Sequence, residues 1–355
     1  MSELRYDPIR GRWTIIATER AFRPHEFRRG APDQPGDVGA CPFEYGNEET
    51  TPPEILAYAP DGRPPNGPGW QVRVVANKFP ALRVEGELTR EGVGIFDRVA
   101  GVGAHEVIVE TPHHMRPMAE MDAAEIELVL HAWRARLVDL RRDPRIRYAL
   151  IFKNHGREAG ASLYHPHSQL IATPIIPIVV KGELQAAREH WHRKERCIFC
   201  DLIHQERALG DRVPWESDHF VLLEPFAASF PFETWILPRH HLHDFAYSPD
   251  EVLADLSRVL KDFLGRVRNL LSDPPFNLIL HTAPSSHPRA GQPQYWTTIE
   301  LDYHWHLEFV PRITHIAGFE WGSGYSINPT PPEEAARFLR DTPPAGREPE
   351  VESGP

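Results

Sequence analysis

The chain has 355 residues, enough for two ordinary domains or one duplicated unit, and its hydrophobic content of 41% can build a full core. A net charge of −11 argues against nucleic acid as a partner bound through a basic surface. With only three cysteines, a secreted disulfide framework is disfavoured and a reducing compartment is favoured. We see neither a membrane-spanning run nor a signal-peptide pattern, so we expect a cytoplasmic protein without a membrane partner.

The first half of the chain predicts a strand-rich unit with one long helix. The expected elements, in chain order, are strands at 70–82 and 104–110, a helix at 122–142, a strand at 148–153, a loop, and a strand at 170–172. Asp122 is a suitable N-cap for the helix. The loop and the following strand share the segment Asn154–Gln169, which reads NHGREAGASLYHPHSQ.

The second half repeats this plan. Its expected elements are strands at 219–223 and 233–237, a helix opening at 248 with Pro249 at its first helical position, a strand at 276–281, and a strand at 307–309. Each half therefore reads strands, His-His, helix, strand, loop, His-x-His, which indicates an internal duplication. The alternative is the ordinary alternation of strands and helices in any α+β protein.

The duplication predicts an α+β fold of two antiparallel-sheet halves, each with a long helix, whose sheets are separate or joined into one. The predicted division is a catalytic N-terminal half at 1–177, a linker helix at 178–196, a C-terminal half with a structural zinc at 197–340, and a flexible tail at 341–355.

The second half carries the donors of a tetrahedral metal site. Cys197 and Cys200 are spaced as Cys-x-x-Cys, His241 follows a predicted strand, and His304 opens the His-x-His pair. Two thiolates with two imidazoles form a common zinc ligand set, so we predict Zn²⁺ at these four residues. A redox role is the alternative for Cys-x-x-Cys, but no thioredoxin-like context surrounds it.

The first half offers the same positions with one change. Cys41-Pro42-Phe43-Glu44 stands where the second half has its Cys-x-x-Cys, and His114 and His165 correspond to the two histidine ligands. Zinc also accepts carboxylate oxygen, so Cys41, Glu44, His114 and His165 form a further predicted metal site with an altered preference, for zinc or for iron.

Two alternatives stay open at these metal sites. Glu44 could be a solvated loop residue, which would leave the first site empty. His113 and His240 adjoin the predicted histidine ligands and could replace them.

The His-Pro-His segment carries the predicted chemistry. Residues two apart on a strand project to the same face, so one histidine can bind metal while His167 faces a substrate. A neutral imidazole is a competent nucleophile at pH 7. Because Pro166 cannot donate to a central ladder, we expect an edge strand or a bulge here.

The loop before these histidines is suited to binding phosphate. Gly156 and Gly160 permit tight turns and close approach of a ligand to backbone N–H groups. Ser162 and Gln169 can hydrogen-bond phosphate oxygens without adding charge. We therefore predict that a nucleophilic His167 lies beside a phosphate-binding loop.

At these residues the chain resembles the galactose-1-phosphate uridylyltransferase family of the histidine-triad superfamily. The resemblance extends over nearly the whole chain, through the segments 5–8, 11–13, 19–24, 77–82 and 154–169. It implies a duplicated histidine-triad-like fold, structural metals, and a homodimer with active sites near the subunit interface.

The resemblance also implies a two-step reaction. His167 would take UMP from UDP-glucose and release glucose 1-phosphate, and galactose 1-phosphate would then take the UMP. His165 would be a metal ligand. The implied substrate contacts are Asn154, Gly160, Ser162 and Gln169 at the phosphates, Asn77 in the nucleotide-binding segment, and Arg20 and Arg23 near the hexose phosphate.

The chain departs from the family pattern at two places. Glu44 replaces a cysteine of the first metal site, and segment 318–329 with the second Cys-x-x-Cys looks more like the branch that includes plant ADP-glucose phosphorylase. The alternatives are therefore a phosphorylase or hydrolase of nucleotide sugars, and a zinc-stabilised binding module without enzymatic activity. His306 lacks a phosphate loop, so we interpret the second half as scaffold, with Trp305 and Phe309 in its core.

Overall fold

The computed structural model describes residues 2–18, 24, 38–288 and 296–344. Its strands are β1 (Glu3–Asp7), β2 (Arg12–Ile16), β3 (Glu54–Tyr58), β4 (Val72–Ala76), β5 (Arg90–Val93), β6 (Phe96–Val99), β7 (Ala104–Val109), β8 (Tyr148–His155), β9 (His167–Thr173), β10 (Phe220–Leu223), β11 (Thr234–Pro238), β12 (Phe276–His281), β13 (His306–Pro311) and β14 (Ser326–Asn328). Its helices are α1 (Ala123–Leu140), α2 (Ile178–Lys194), α3 (Ile198–Leu209), α4 (Asp250–Leu271), α5 (Ile299–Asp302), α6 (Gly318–Ser323) and α7 (Pro332–Asp341). Within these described ranges, no helix has both the length and the apolar character needed to cross a bilayer.

One antiparallel sheet joins the two halves. Among the described residues its nine strands run in the order β10-β11-β13-β12-β8-β9-β7-β4-β3. The halves meet where β8 pairs with β12, and Asn154 lies directly opposite Asn277 in that register. Outward from this seam, β9, β7 and β4 of the first half correspond to β13, β11 and β10 of the second. The predicted duplicated α+β fold is confirmed, with the two sheets continuous.

The two long helices cover one face of this sheet. Alternate strand residues and the apolar faces of α1 and α4 form the largest core cluster, which includes Trp133, Leu260, Trp305 and Phe309. The helix α1 is also tied to β9, because Trp133 Nε1 donates to Ser168 Oγ at 2.8 Å. Trp305 and Phe309 are both fully buried, which agrees with their prediction as core residues.

The ends of these helices follow local sequence signals. Asp122 is the N-cap of α1, as predicted, and its N–H donates to Glu125 Oε2 at 2.7 Å. The second long helix begins at Asp250, one residue after the predicted Pro249. Pro249 has ψ of 159° and is therefore extended, which makes it the residue before the first helical turn.

The opposite face of the sheet is covered differently in the two halves. Over the second half, α2 and α3 pack Leu184 and Phe199 against Trp235 of β11. Over the first half, a smaller cluster around Cys41 and Phe43 packs on β4 and β7. The candidate site lies on this less covered part of the sheet.

The predicted edge position of the His-Pro-His strand is wrong. β9 lies between β7 and β8, inside the sheet. Pro166 immediately precedes the strand, so its missing N–H removes no bond from the ladder, and its carbonyl accepts from the Glu110 N–H at 3.1 Å.

The segment predicted as a flexible tail is anchored at its start. Asp341 is the last residue of α7. Arg266 Nη1 donates to the Thr342 carbonyl at 2.6 Å, and Asn269 Nδ2 donates to the Pro343 carbonyl at 3.1 Å. Residues 345–355 lie outside the described residues.

The start of β7 requires a glycine for steric reasons. A Cβ at Gly103 would lie 2.2 Å from the Ala172 carbonyl oxygen of β9, and backbone cannot move aside as a flexible side chain can. We expect Gly103→Ala to lower the free energy of unfolding by about 2 kcal/mol or more, measured by urea denaturation. Gly92→Ala in β5 is the matched control, because a Cβ there meets no atom within 4 Å. Equal stability of the two variants would contradict the close packing of β7 on β9.

Candidate active site and metal-binding groups

His167 is the first residue of β9, and its ring lies on the face opposite α1. Its side chain packs against Phe43, with ring centroids 5.5 Å apart. Its Nδ1 donates to the His165 carbonyl at 2.8 Å, which leaves Nε2 with the lone pair. Burial, together with the nearby charge of Lys153, lowers the pKa of His167 to about 4. The ring is therefore a neutral, oriented imidazole at pH 7.

A buried ion pair supports the backbone of this histidine. Lys153 Nζ lies 2.6 Å from Glu110 Oε2 and donates to the His167 carbonyl at 3.3 Å. The Lys153 and Glu110 side chains are only 2% and 0% exposed. Neither residue is predicted from the sequence, although a lysine that follows the apolar run of a predicted strand indicates a buried charge that needs a partner.

The segment that is predicted to bind phosphate forms a tight loop between β8 and β9. Gly156 and Gly160 have φ of +80° and +93°, so both use the left-handed freedom predicted for them. The Asn154 amide lies beside Gly160, with its Nδ2 3.5 Å from the Gly160 carbonyl. Ser162 is exposed on the same loop.

His105 joins two predicted substrate-binding residues and was not identified from the sequence. Its Nδ1 accepts from the Ala81 N–H at 3.1 Å. Its Nε2 lies 2.9 Å from Gln169 Oε1 and 3.1 Å from Asn77 Nδ2. Because the side-chain carbonyl of Gln169 faces His105, its amide N–H groups remain for an acceptor such as a phosphate oxygen.

The first predicted metal group comes together in the structure. Cys41, His114 and His165 place one donor atom each within 4.8 Å of one another. Glu44 adds a carboxylate oxygen 3.1 Å from His114 Nδ1 and 3.6 Å from His165 Nδ1. His165 Nε2 donates to the Thr111 carbonyl at 2.7 Å, a second contact typical of a metal-binding histidine.

The second predicted group is also assembled. Cys197, Cys200, His241 and His304 place their donor atoms within 4.8 Å of one another. Cys200 Sγ lies 3.3 Å from His241 Nδ1 and 3.6 Å from His304 Nδ1, while both Nε2 atoms face backbone carbonyls at 3.0 Å. This donor set fits a tetrahedral zinc ion.

The neighbouring histidines are not part of either group. His113 and His240 are exposed, whereas His114 is buried and His241 is half-buried beside the thiols. The structure therefore favours His114 and His241 over their neighbours as ligands.

A third group of donors was not predicted. Glu183, His281, His306 and Glu308 lie within 4.8 Å of one another and are all buried. Arg10 enters this group and pairs with Glu308, so a guanidinium already supplies positive charge. Burial alone would lower the pKa of His281, but Glu183 and Glu308 raise it to about 9. The residues therefore fit a closed ion network rather than a metal site.

Two predicted substrate contacts cannot be placed. Arg20 and Arg23 lie outside the described residues. Of the remaining predicted residues, Asn154 lies near the end of β8, and Gly160 and Ser162 lie on the loop that precedes β9.

Comparison with known proteins points to one family. The models of the galactose-1-phosphate uridyl transferase N-terminal and C-terminal domains match residues 1–177 and 183–330. An ADP-glucose phosphorylase of Arabidopsis thaliana is 34% identical over 96% of this chain and 92% of its own. A galactose-1-phosphate uridylyltransferase of Thermotoga maritima is 29% identical over 96% of this chain and 99% of its own.

A solved structure extends this likeness to three dimensions. A crystal structure of an ADP-glucose phosphorylase from Arabidopsis thaliana with bound ADP-glucose has a TM-score of 0.78 to this fold. It is 32% identical and aligns over 96% of this chain and 99% of its own.

The Lys153–Glu110 pair yields a stability test. Lys153→Met would leave Glu110 as an unpaired buried carboxylate, so we expect the free energy of unfolding to fall by roughly 3–5 kcal/mol. The double variant Lys153→Met with Glu110→Met should recover most of this loss in urea denaturation. Arg98→Met, in the exposed Arg98–Glu91 pair, is the control and should cost less than about 1 kcal/mol. A Lys153→Met variant as stable as that control would disprove the pairing.

The second metal group can be tested by measuring the zinc content of the purified protein. Cys197→Ser removes one thiolate from the four donors, so we expect loss of about one zinc ion per chain together with a lower melting temperature. Metal content is measured on purified protein by inductively coupled plasma mass spectrometry. Cys41→Ser should leave this zinc in place. Unchanged zinc content in Cys197→Ser would refute the assignment.

Proposed function

Because the chain belongs to the galactose-1-phosphate uridyl transferase family, we propose that this enzyme transfers a nucleotidyl group through a covalent bond to His167. The observation that carries the proposal is the orientation of this ring. The His165 carbonyl holds Nδ1, so Nε2 of the neutral ring keeps its lone pair. The loop that precedes His167 in the chain has the positive φ angles at Gly156 and Gly160 that suit close approach of a phosphate. His306, the equivalent residue of the second half, lies fully buried in an ion network.

The proposed reaction has two balanced steps. His167 Nε2 attacks the α-phosphorus of a nucleotide sugar, the bond from phosphorus to the bridging oxygen breaks, and the sugar 1-phosphate leaves with that oxygen. A phosphate oxygen of the acceptor then attacks the same phosphorus, and the phosphorus–nitrogen bond breaks to restore the imidazole. One site can serve both steps because the leaving group and the acceptor are both phosphates.

Neutral donors around the loop would stabilise the phosphate oxygens as charge develops. We assign this role to the amides of Asn154 and Gln169, the backbone at Gly160 and the hydroxyl of Ser162. Asn77 remains our proposed contact to the nucleotide. Arg20 and Arg23 remain proposed contacts to the sugar phosphate.

For the donor and acceptor, we favour ADP-glucose and inorganic phosphate. The support is the 34% identity to a protein named ADP-glucose phosphorylase and the fold match to a structure with bound ADP-glucose. Glucose 1-phosphate and ADP would then be the products. The second candidate is transfer of UMP from UDP-glucose to galactose 1-phosphate, favoured by the match to both family domain models.

We propose structural roles for the metals. A zinc ion held by Cys197, Cys200, His241 and His304 would clamp α3 to the second half of the sheet. A zinc or iron ion would be held by Cys41, Glu44, His114 and His165. Because His165 is only two residues before His167, this ion would fix the backbone next to the proposed nucleophile. Homodimer formation stays a prediction from the family resemblance.

The covalent step is tested by intact-protein mass spectrometry after incubation with ADP-glucose or UDP-glucose. We expect a mass gain of one nucleoside monophosphate that is lost in His167→Ala and retained in His306→Ala. Discharge of the adduct by inorganic phosphate would support the phosphorylase, and discharge by galactose 1-phosphate would support the uridylyltransferase. Absence of an adduct with both donors would contradict the proposed function.

A further inference from the structure

We propose that Asn277, a residue of the second half, is a positioning residue that orients the Asn154 amide toward a nucleotide phosphate. This inference rests on the proposed function, because it specifies how the phosphate loop of that site is set. It assigns a role in the active site to the half that the sequence indicates is only scaffold.

Three polar groups form a short relay across the seam of the sheet. Asn277 on β12 and Asn154 on β8 are paired in register and project to the same face. Asn277 Nδ2 donates to Asn154 Oδ1 at 2.8 Å and to the Ala159 carbonyl at 2.9 Å. Ala159 belongs to the turn inside the phosphate loop.

The chemistry of these groups permits one orientation. The Ala159 carbonyl only accepts, so the NH₂ group of Asn277 must face it. That same NH₂ group donates to Asn154, so Asn154 must present its carbonyl oxygen to Asn277. The Asn154 NH₂ group is therefore turned to the other side, next to Gly160, where it can donate to an anionic oxygen. If Asn154 were reversed, it would present a carbonyl to a phosphate, which is repulsive.

Packing across the seam holds the loop against the same strand. A Cβ at Gly156 would lie 2.9 Å from Pro275 Cβ, so the loop rests directly on the residues that precede β12. The His155 ring stacks on Phe276 at 4.8 Å, and His155 Nε2 lies 3.2 Å from Asp273 Oδ1. The second half thus fixes both the path of the loop and the orientation of its amide.

The proposal distinguishes two substitutions of Asn277. In Asn277→Asp the carboxylate cannot donate, so Asn154 should turn its NH₂ group toward it and offer a carbonyl to the phosphate. We expect the rate of adduct formation from ADP-glucose to fall roughly 10–100-fold, the range for a hydrogen bond to a charged group. In Asn277→Ala the Asn154 amide remains free to rotate, so we expect a smaller fall, below about 10-fold.

A double-variant cycle separates the relay from other effects of the new charge. In an Asn154→Ala background, the amide that Asn277 is proposed to orient is absent. Asn277→Asp should therefore slow the reaction by less than about 3-fold further. A general structural defect, or direct repulsion of the phosphate by the carboxylate, would persist at full size in that background and would overturn the proposal. Rates are measured by rapid-quench mass spectrometry.

Asn269→Asp is the matched control for the substitution itself. The Asn269 amide donates to the Pro343 carbonyl near the end of α4, so this variant should react at the wild-type rate. Thermal unfolding of each variant confirms that the fold is retained.

Failure of the relay can be told apart from failure of the proposed function. If the wild-type protein forms no adduct, the covalent mechanism fails. The role of Asn277 is then tested by comparing the ADP affinities of the wild type and the variant, measured by isothermal titration calorimetry. We expect ADP to bind Asn277→Asp about 10-fold or more weakly than wild type. Equal ADP affinity, or an adduct formed by Asn277→Asp at the wild-type rate, would refute the role of Asn277.

Discussion

The antiparallel pairing of β8 with β12 is the constraint on which the candidate site depends. This seam makes one sheet of two halves and sets Asn154 against Asn277. It also places the glycine-containing loop between β8 and β9 on Pro275, close enough that the loop must begin with glycine. Because β8 leads into the loop and the loop leads into β9, the seam determines where His167 enters the sheet.

The two halves of this enzyme use the same strands for different purposes. In each, the Nδ1 of the second histidine faces the carbonyl of the first, at 2.8 Å for His167 and 3.2 Å for His306. Over His306, α2 and the turn between β1 and β2 supply Glu183 and Arg10, which close the face with charge. Over His167 the corresponding face carries Phe43, with ring centroids 5.5 Å apart, so the duplicated strands place the two equivalent histidines in different surroundings.

Buried charge lies next to both equivalent histidines, His167 and His306. Lys153 and Glu110 neutralise one another under the β9 backbone, and the Arg10 network does the same in the second half. Such pairs contribute little net stability, since desolvation offsets their attraction, but removing one partner is costly. Lys153 contacts the His167 carbonyl at 3.3 Å, and Glu308 lies 3.5 Å from the His306 ring, so each group of charges adjoins one of the two equivalent histidines.

Much of the site could be predicted because its residues are close in sequence or repeat. The glycines, the His-x-His spacing and the Cys-x-x-Cys pair are local patterns, and the second occurrence of the same order identified the distant histidines His114 and His241. The two metal groups then assembled as expected from equivalent positions of the two halves.

The sequence by itself determined the duplicated plan, the candidate nucleophile and the types of metal donor, because backbone periodicity and ligand spacing are local properties. Only the tertiary structure decided which residues set the site from a distance. His105, Asn277 and the Lys153–Glu110 pair act through hydrogen bonds across strands, and the edge predicted for Pro166 became an interior strand. Strand order and register determine such contacts, and no local pattern in one sequence specifies them.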